Sequence, residues 1–134
     1  MWLFLKNSFL SIVDPGDQGP KTGDYLLVRA RVKGDIERIF PRARVQETLC
    51  RDYRFRAYIQ RSIVAKAISN EVIANKATNF KDSVDSNCRH AAYAGVWRTM
   101  WSFQNRLDGR TAEQFDRLEP EQTPLFLDDE FERL

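Results

Sequence analysis

Two stretches of the chain alternate strictly between apolar and polar side chains. In residues 52–61, Tyr53, Phe55, Ala57 and Ile59 fall on one side of an extended strand, and Arg54, Arg56, Tyr58 and Gln60 on the other. In residues 25–33, Leu26, Val28, Ala30 and Val32 face one way while Leu27, Arg29, Arg31 and Lys33 face the other. If the two strands share a sheet, one face is a core and the other a field of guanidinium groups.

The remaining elements follow from the same patterns. Residues 2–6 and 9–13 read as a β-hairpin about an Asn7-Ser8 turn, and apolar residues on both faces place it deep in the sheet or under helices. Residues 14–24, with three of the six glycines and two of the five prolines, form a surface loop. Gly34-Asp35 opens a short helix through residues 36–40, stopped by Pro41. A strand over 45–50 precedes the strand at 52–61. Ser62 caps a helix to about Asn75, with Val64, Ala67, Ile68 and Val72 on one stripe. A polar link over 79–84 leads to a second helix, 86–105, where Tyr93, Val96, Trp97, Met100 and Trp101 recur at three- and four-residue spacing. Thr111 and Gln114 form a capping-box pattern for a last short helix. The expected fold is α+β: an antiparallel sheet of four to five strands with the two longer helices packed on its apolar face. One domain spans residues 1–119, and residues 120–134 form an acidic tail.

Length and composition change this picture little. With 134 residues, 43% of them hydrophobic, the chain can bury a core without disulfides or metal. Two cysteines, Cys50 and Cys88, without a CxxC or Cys/His cluster, read as reduced thiols, with a single bridge between them as the lesser alternative. The apolar start, residues 1–5, lacks a basic flank and is broken by Lys6. It is therefore expected to be neither a signal peptide nor a membrane span, which makes the cytoplasm the expected location and gives no membrane role.

Charge adds more. Residues 25–67 hold eleven Lys/Arg against four Asp/Glu, a balance of +7, while residues 109–134 hold three against eight, a balance of −5. Opposed blocks within a net charge of +2 imply either a partner for each block or a contact between them.

The strings Met1-Trp-Leu-Phe-Leu5, Leu26-Leu-Val-Arg-Ala-Arg31, Gly34-Asp-Ile-Glu37, Asp52-Tyr-Arg-Phe-Arg-Ala57, Asn79-Phe-Lys-Asp-Ser-Val84 and Arg89-His-Ala-Ala-Tyr93 resemble a family of small uncharacterised bacterial proteins. The resemblance covers residues 1–104 and stops before the tail. It implies a bacterial or prophage origin and a shared fold, and carries over no activity, cofactor or site residue.

The candidate chemistry begins with the basic strand face: Arg29, Arg31, Lys33, Arg54, Arg56 and Tyr58, with Arg42, Arg44, Arg51 and Arg61 nearby in sequence. Guanidinium groups pair with phosphates bidentately and stack on bases, and the 25–67 segment has nine Arg to two Lys. The competing account is a solvated face whose arginine stems cover the sheet. In the tail, Phe126 and Phe131 stand among Asp128, Asp129, Glu130 and Glu132. That segment reads as a peptide docking on another protein, a flap neutralising the basic face, or a disordered end.

His90 is the single histidine, and a Cys–His pair with Cys88 or Cys50 is the weaker account beside a structural role. Asp82 and Asp85 would hold Mg²⁺ or, more simply, complement a helix N-terminus. Trp97, Met100 and Trp101 read as core, with an excess that would suit a homodimer or partner surface.

These features describe a non-enzymatic binding module without cofactor or metal, engaging an acidic partner, nucleic acid or ribonucleoprotein, through the basic strand face. A phage-type inhibitor of a host nucleoprotein machine would have this size. Two alternatives stay open: a small enzyme using the arginines as anion clamps on phosphorylated substrates, and a protein–protein adaptor working through the acidic, aromatic tail.

Overall fold

In the computed structural model, which describes residues 1–109, an antiparallel five-stranded sheet and three helices give the α+β architecture that the alternation implies. The strands are β1 (Trp2–Leu5), β2 (Ser8–Val13), β3 (Tyr25–Ala30), β4 (Gln46–Glu47) and β5 (Phe55–Gln60). The helices are α1 (Asp35–Ile39), α2 (Arg61–Ala74) and α3 (Asn87–Leu107). Sheet order is β1-β2-β3-β5-β4.

Register assigns the two faces. Val28 lies opposite Ala57 and Ile12 opposite Val28, which puts the apolar halves of β2, β3 and β5 on one side. There Leu10, Ile12, Val28, Ala30, Phe55, Ala57 and Ile59 form a buried cluster with Ile36 and Phe40 from the α1 region and Val64 from α2. The opposite face carries the row Trp2, Ser11, Arg29, Arg56 and Gln46, again read directly from the pairing.

Five expectations are corrected. The hairpin is not central: β1 is an edge strand, and Trp2 is 64% exposed. Its second apolar face is an aromatic ladder on the open side, with Trp2 edge-on to Phe9 at 6.2 Å and Phe9 against Phe4 at 4.7 Å. The third strand stops at Ala30, because the chain must turn through Gly34, at φ +91°, into α1; Val32 is exposed and Lys33 sits in the turn. The α2 stripe buries Val64 and half-buries Ala67 and Ile68, but Val72 lies past the sheet and is exposed. The helix also starts at Arg61, two residues early, and Gln60 rather than Ser62 is at the cap position, making no side-chain cap. Finally, β4 has only two residues. Pro41 follows α1, Ala43 turns back to donate to the Phe40 carbonyl at 2.9 Å, and Ala43 and Val45 pack on the core, so pairing starts only at Gln46.

At the head of α1, Asp35 is 1% exposed; its carboxylate accepts from the Phe9 amide at 3.0 Å and meets Arg38 at 2.7 Å. This ties the α1 turn to the hairpin. All of this lies in a compact unit, Met1–Val84, and a second unit begins at Asp85. In the second unit, Ser86 caps α3 by accepting from the Arg89 amide at 3.2 Å. Trp97 and Trp101 stack at 5.8 Å along that helix. Met100, expected in a core, is exposed, as are Val96, Phe103 and Leu107. No helix among the described residues is long and apolar enough to cross a membrane.

Candidate binding site at the margin of strand β5

The predicted basic face exists as a face, but its arginines are held by their own chain. Arg29 on β3 donates from Nη2 to Ser11 Oγ at 2.7 Å, its guanidinium lies 4.6 Å from the Tyr53 ring centroid, and its buried Nε finds no acceptor. Arg31 lies 4.3 Å from the same ring and donates to the Asp52 carbonyl at 2.8 Å. Arg56 on β5 donates from Nε to the Tyr53 carbonyl at 3.0 Å and sits 3.7 Å from the Asp52 carboxylate. Three of the six predicted residues therefore converge on one small loop, Asp52–Tyr53, and brace it.

Tyr53 itself corrects the sequence reading. Strict alternation puts it on the core side with Phe55. The strand begins only at Phe55, and residues 51–53 bend, so the ring turns to the arginine side and is buried there, outside the main apolar cluster. The guanidinium groups, weakly hydrated cations that suit an aromatic face, give it a partner on that side.

The others stand apart. Arg54 pairs with Glu47 across the β4–β5 ladder at 2.8 Å, both about half exposed. Lys33 is exposed in the turn before α1. Tyr58 remains on the open face, 40% exposed, with its hydroxyl donating to the Gln18 carbonyl at 3.2 Å.

Arg61, at the start of α2, is fixed by Asp24 at 2.8 Å and Asp14 at 3.0 Å. These bonds raise its pKa further, Asp24 contributing most. Asp14 is pulled below the ordinary carboxylate range, first by the Gly16 amide at 2.8 Å and then by Arg61. The pair anchors the 14–24 loop to the end of β5.

Two hollows flank the margin of β5 where β4 fails to cover it. On the helix side lies one of about 620 Å³, mostly apolar, between Ile39 and Phe40 on one wall and Ile63 and Ala67 of α2 on the other; Arg42, Arg44 and Lys66 also line it. On the open face lies one of about 410 Å³, with more polar walls, lined by Gln18, Gln46, Arg44, Arg56 and Tyr58. Among the described residues, no carboxylate lines either hollow. Arg42, Arg44 and Lys66 make no ion pair within the described residues. Arg42 and Arg44 stand out in the sequence only as neighbours of the strand face. Lys66 carries no sequence signal, because its place beside them depends on where α2 crosses the sheet.

Of the other candidates, Cys50 and Cys88 are exposed free thiols. Cys88 and His90, two residues apart on α3, point to different sides of it. Asp82 lies in a single turn of 3-10 helix, Lys81–Ser83, ahead of α3. Among the described residues no three of His, Cys, Asp or Glu are grouped so as to hold a metal ion. The tail candidates Phe126, Asp128, Asp129 and Phe131, and the helix expected from Thr111, lie outside the described residues. Comparison of the chain with protein-family models, with curated proteins and with solved structures finds no match, so the resemblance over residues 1–104 rests on its sequence strings alone.

Proposed function

We propose that this chain is a binding module for an acidic partner, engaged along the β5 margin rather than across the whole basic strand face. The observation that carries this reading is the contrast between two sets of cations. Arg29, Arg31, Arg54, Arg56 and Arg61 have acceptors or aromatic partners within the chain. Arg42, Arg44 and Lys66 line a hollow with no carboxylate beside them among the described residues. Cations clustered without anions raise the local potential and draw in a negative partner. Those already paired have less to offer, since a new partner must first displace an existing hydrogen bond.

Retention of the full chain on immobilised heparin and on immobilised polyglutamate, eluted with salt, tests the reading. Arg44→Gln is expected to lower the eluting salt most, because Arg44 lines both hollows. Arg42→Gln should follow, and Arg54→Gln should change least. Equal losses for all three would mean that retention tracks net charge alone, and would sink the assignment to the margin.

A further inference from the structure

The β5 margin has a property beyond its charge: its backbone is open. The ladder from β3 pairs the whole of β5, from Phe55 opposite Ala30 to Gln60 opposite Tyr25. On the other side, β4 pairs only Phe55 and Arg56. Antiparallel strands exchange hydrogen bonds at alternate pairs. The Arg61 amide donates to the Asp24 carbonyl at 2.9 Å, which fixes Ile59 and Ala57 as the residues bonding towards β3. The Thr48 amide donates to the Arg54 carbonyl at 2.7 Å, which fixes Arg56, Tyr58 and Gln60 as those facing outward. Arg56 is satisfied by β4. The amide and carbonyl of Tyr58 and the amide of Gln60 face the side where no strand pairs among the described residues. Continued in register, β4 would have set Arg44 opposite Tyr58, but the chain has turned to the core by then.

We propose that this open edge takes up an extended segment of a partner protein as an added strand, with acidic and apolar side chains in alternation. The inference rests on the acidic-partner reading and names the partner's class. Successive side chains of an added strand point to opposite faces of the sheet. Here the two faces beside the edge differ in the way such a strand requires. One set of side chains meets the mostly apolar hollow between Ile39 and Ile63, with Arg42 and Lys66 among its walls. The alternate set meets the more polar hollow that holds Arg44 and Arg56. Cations without a carboxylate among the described residues lining either hollow favour an acidic strand over a basic one. A nucleic acid would use the cations but has no use for the strand-edge amides at strand spacing.

The test uses the full-length chain and a fluorescein-labelled probe, acetyl-Glu-Val-Glu-Phe-Glu-Val-Glu-amide, beside the same peptide N-methylated at alternate residues. N-methylation removes amide donors and keeps every side chain and charge. The expected result is saturable binding of the unmethylated peptide, weakened about tenfold or more by methylation on the pairing edge, the loss of two backbone hydrogen bonds. Hydrogen exchange at the Tyr58 and Gln60 amides should slow on binding. Arg44→Gln should weaken the peptide while the fold is unchanged.

Equal binding of both peptides would overturn strand addition and leave a charge-driven acidic partner standing. Displacement of the peptide by single-stranded RNA, with tighter binding of the RNA and no exchange protection at Tyr58, would assign the margin to nucleic acid instead. No binding of peptide, RNA or polyglutamate would overturn both this inference and the reading beneath it.

Discussion

Single side chains decide which cations are structural. Tyr53 turns the strand face into a braced loop, since Arg29 and Arg31 both lie over its ring and Arg56 holds its carbonyl. Tyr53→Leu keeps much of the apolar volume but removes the ring's negative face. It is expected to lower unfolding stability by about 1–2 kcal/mol in urea titration, the range of partly desolvated cation–π contacts. A loss no larger than that of Arg54→Gln would show that the guanidinium contacts contribute little. A pH effect belongs at Asp14. Its pKa is lower in the fold than in the unfolded chain, so its contribution is present above about pH 3.9 and is lost as pH falls through the lowered value. Thermal unfolding followed from pH 5 down to pH 2 should therefore fall less steeply for Asp14→Asn than for wild type. None of this is visible in the sequence. Alternation gives Tyr53 the parity of Phe55, and only the bend at residues 51–53 reverses it.

Strands and helices were far more legible. Period-2 alternation located β3 and β5, and the pairing of Arg29 with Arg56 confirms that their polar halves share a face. Ends were less so: β3 and β4 are shorter than the pattern suggests, because Gly34 and the turn at Phe40–Ala43 pull the chain away. The hairpin misled for a different reason. Two apolar faces mean burial on both sides only if the second is not closed by its own aromatic contacts, as the Trp2–Phe9–Phe4 ladder is. The core itself makes a direct prediction. Leu10 is fully buried between hairpin and helices, so Leu10→Ala should cost about 2–5 kcal/mol by lost transfer and cavity formation. A cost below about 1 kcal/mol in chemical denaturation would mean that the hairpin does not fold cooperatively with β3 and β5.

On the scale of the molecule, the sheet, α1, α2 and the whole apolar cluster lie within residues 1–84. A fragment of those residues should fold alone with dispersed amide resonances and one cooperative unfolding transition, as a domain with its own core does. A collapsed spectrum for residues 1–84, with a dispersed one for the full chain, would refute that independence. The candidate margin was half legible. The sequence showed a basic block and named Arg56 and Tyr58, but it put the strand arginines first and Arg42 and Arg44 only beside them. Which cations are left uncompensated depends on tertiary partners, such as Glu47 for Arg54 and Asp24 for Arg61, that sequence spacing does not reveal.

The two-residue length of β4 has one more consequence. An uncovered strand edge is a template for any extended chain, identical copies included, and is the usual starting point of edge-to-edge aggregation. Arg42 and Arg44 lie beside this edge, so two copies approaching through β5 would bring like charges together, which is unfavourable. Arginines in that place would deter self-templating as gatekeepers do, while the acidic strand proposed above would meet no such repulsion.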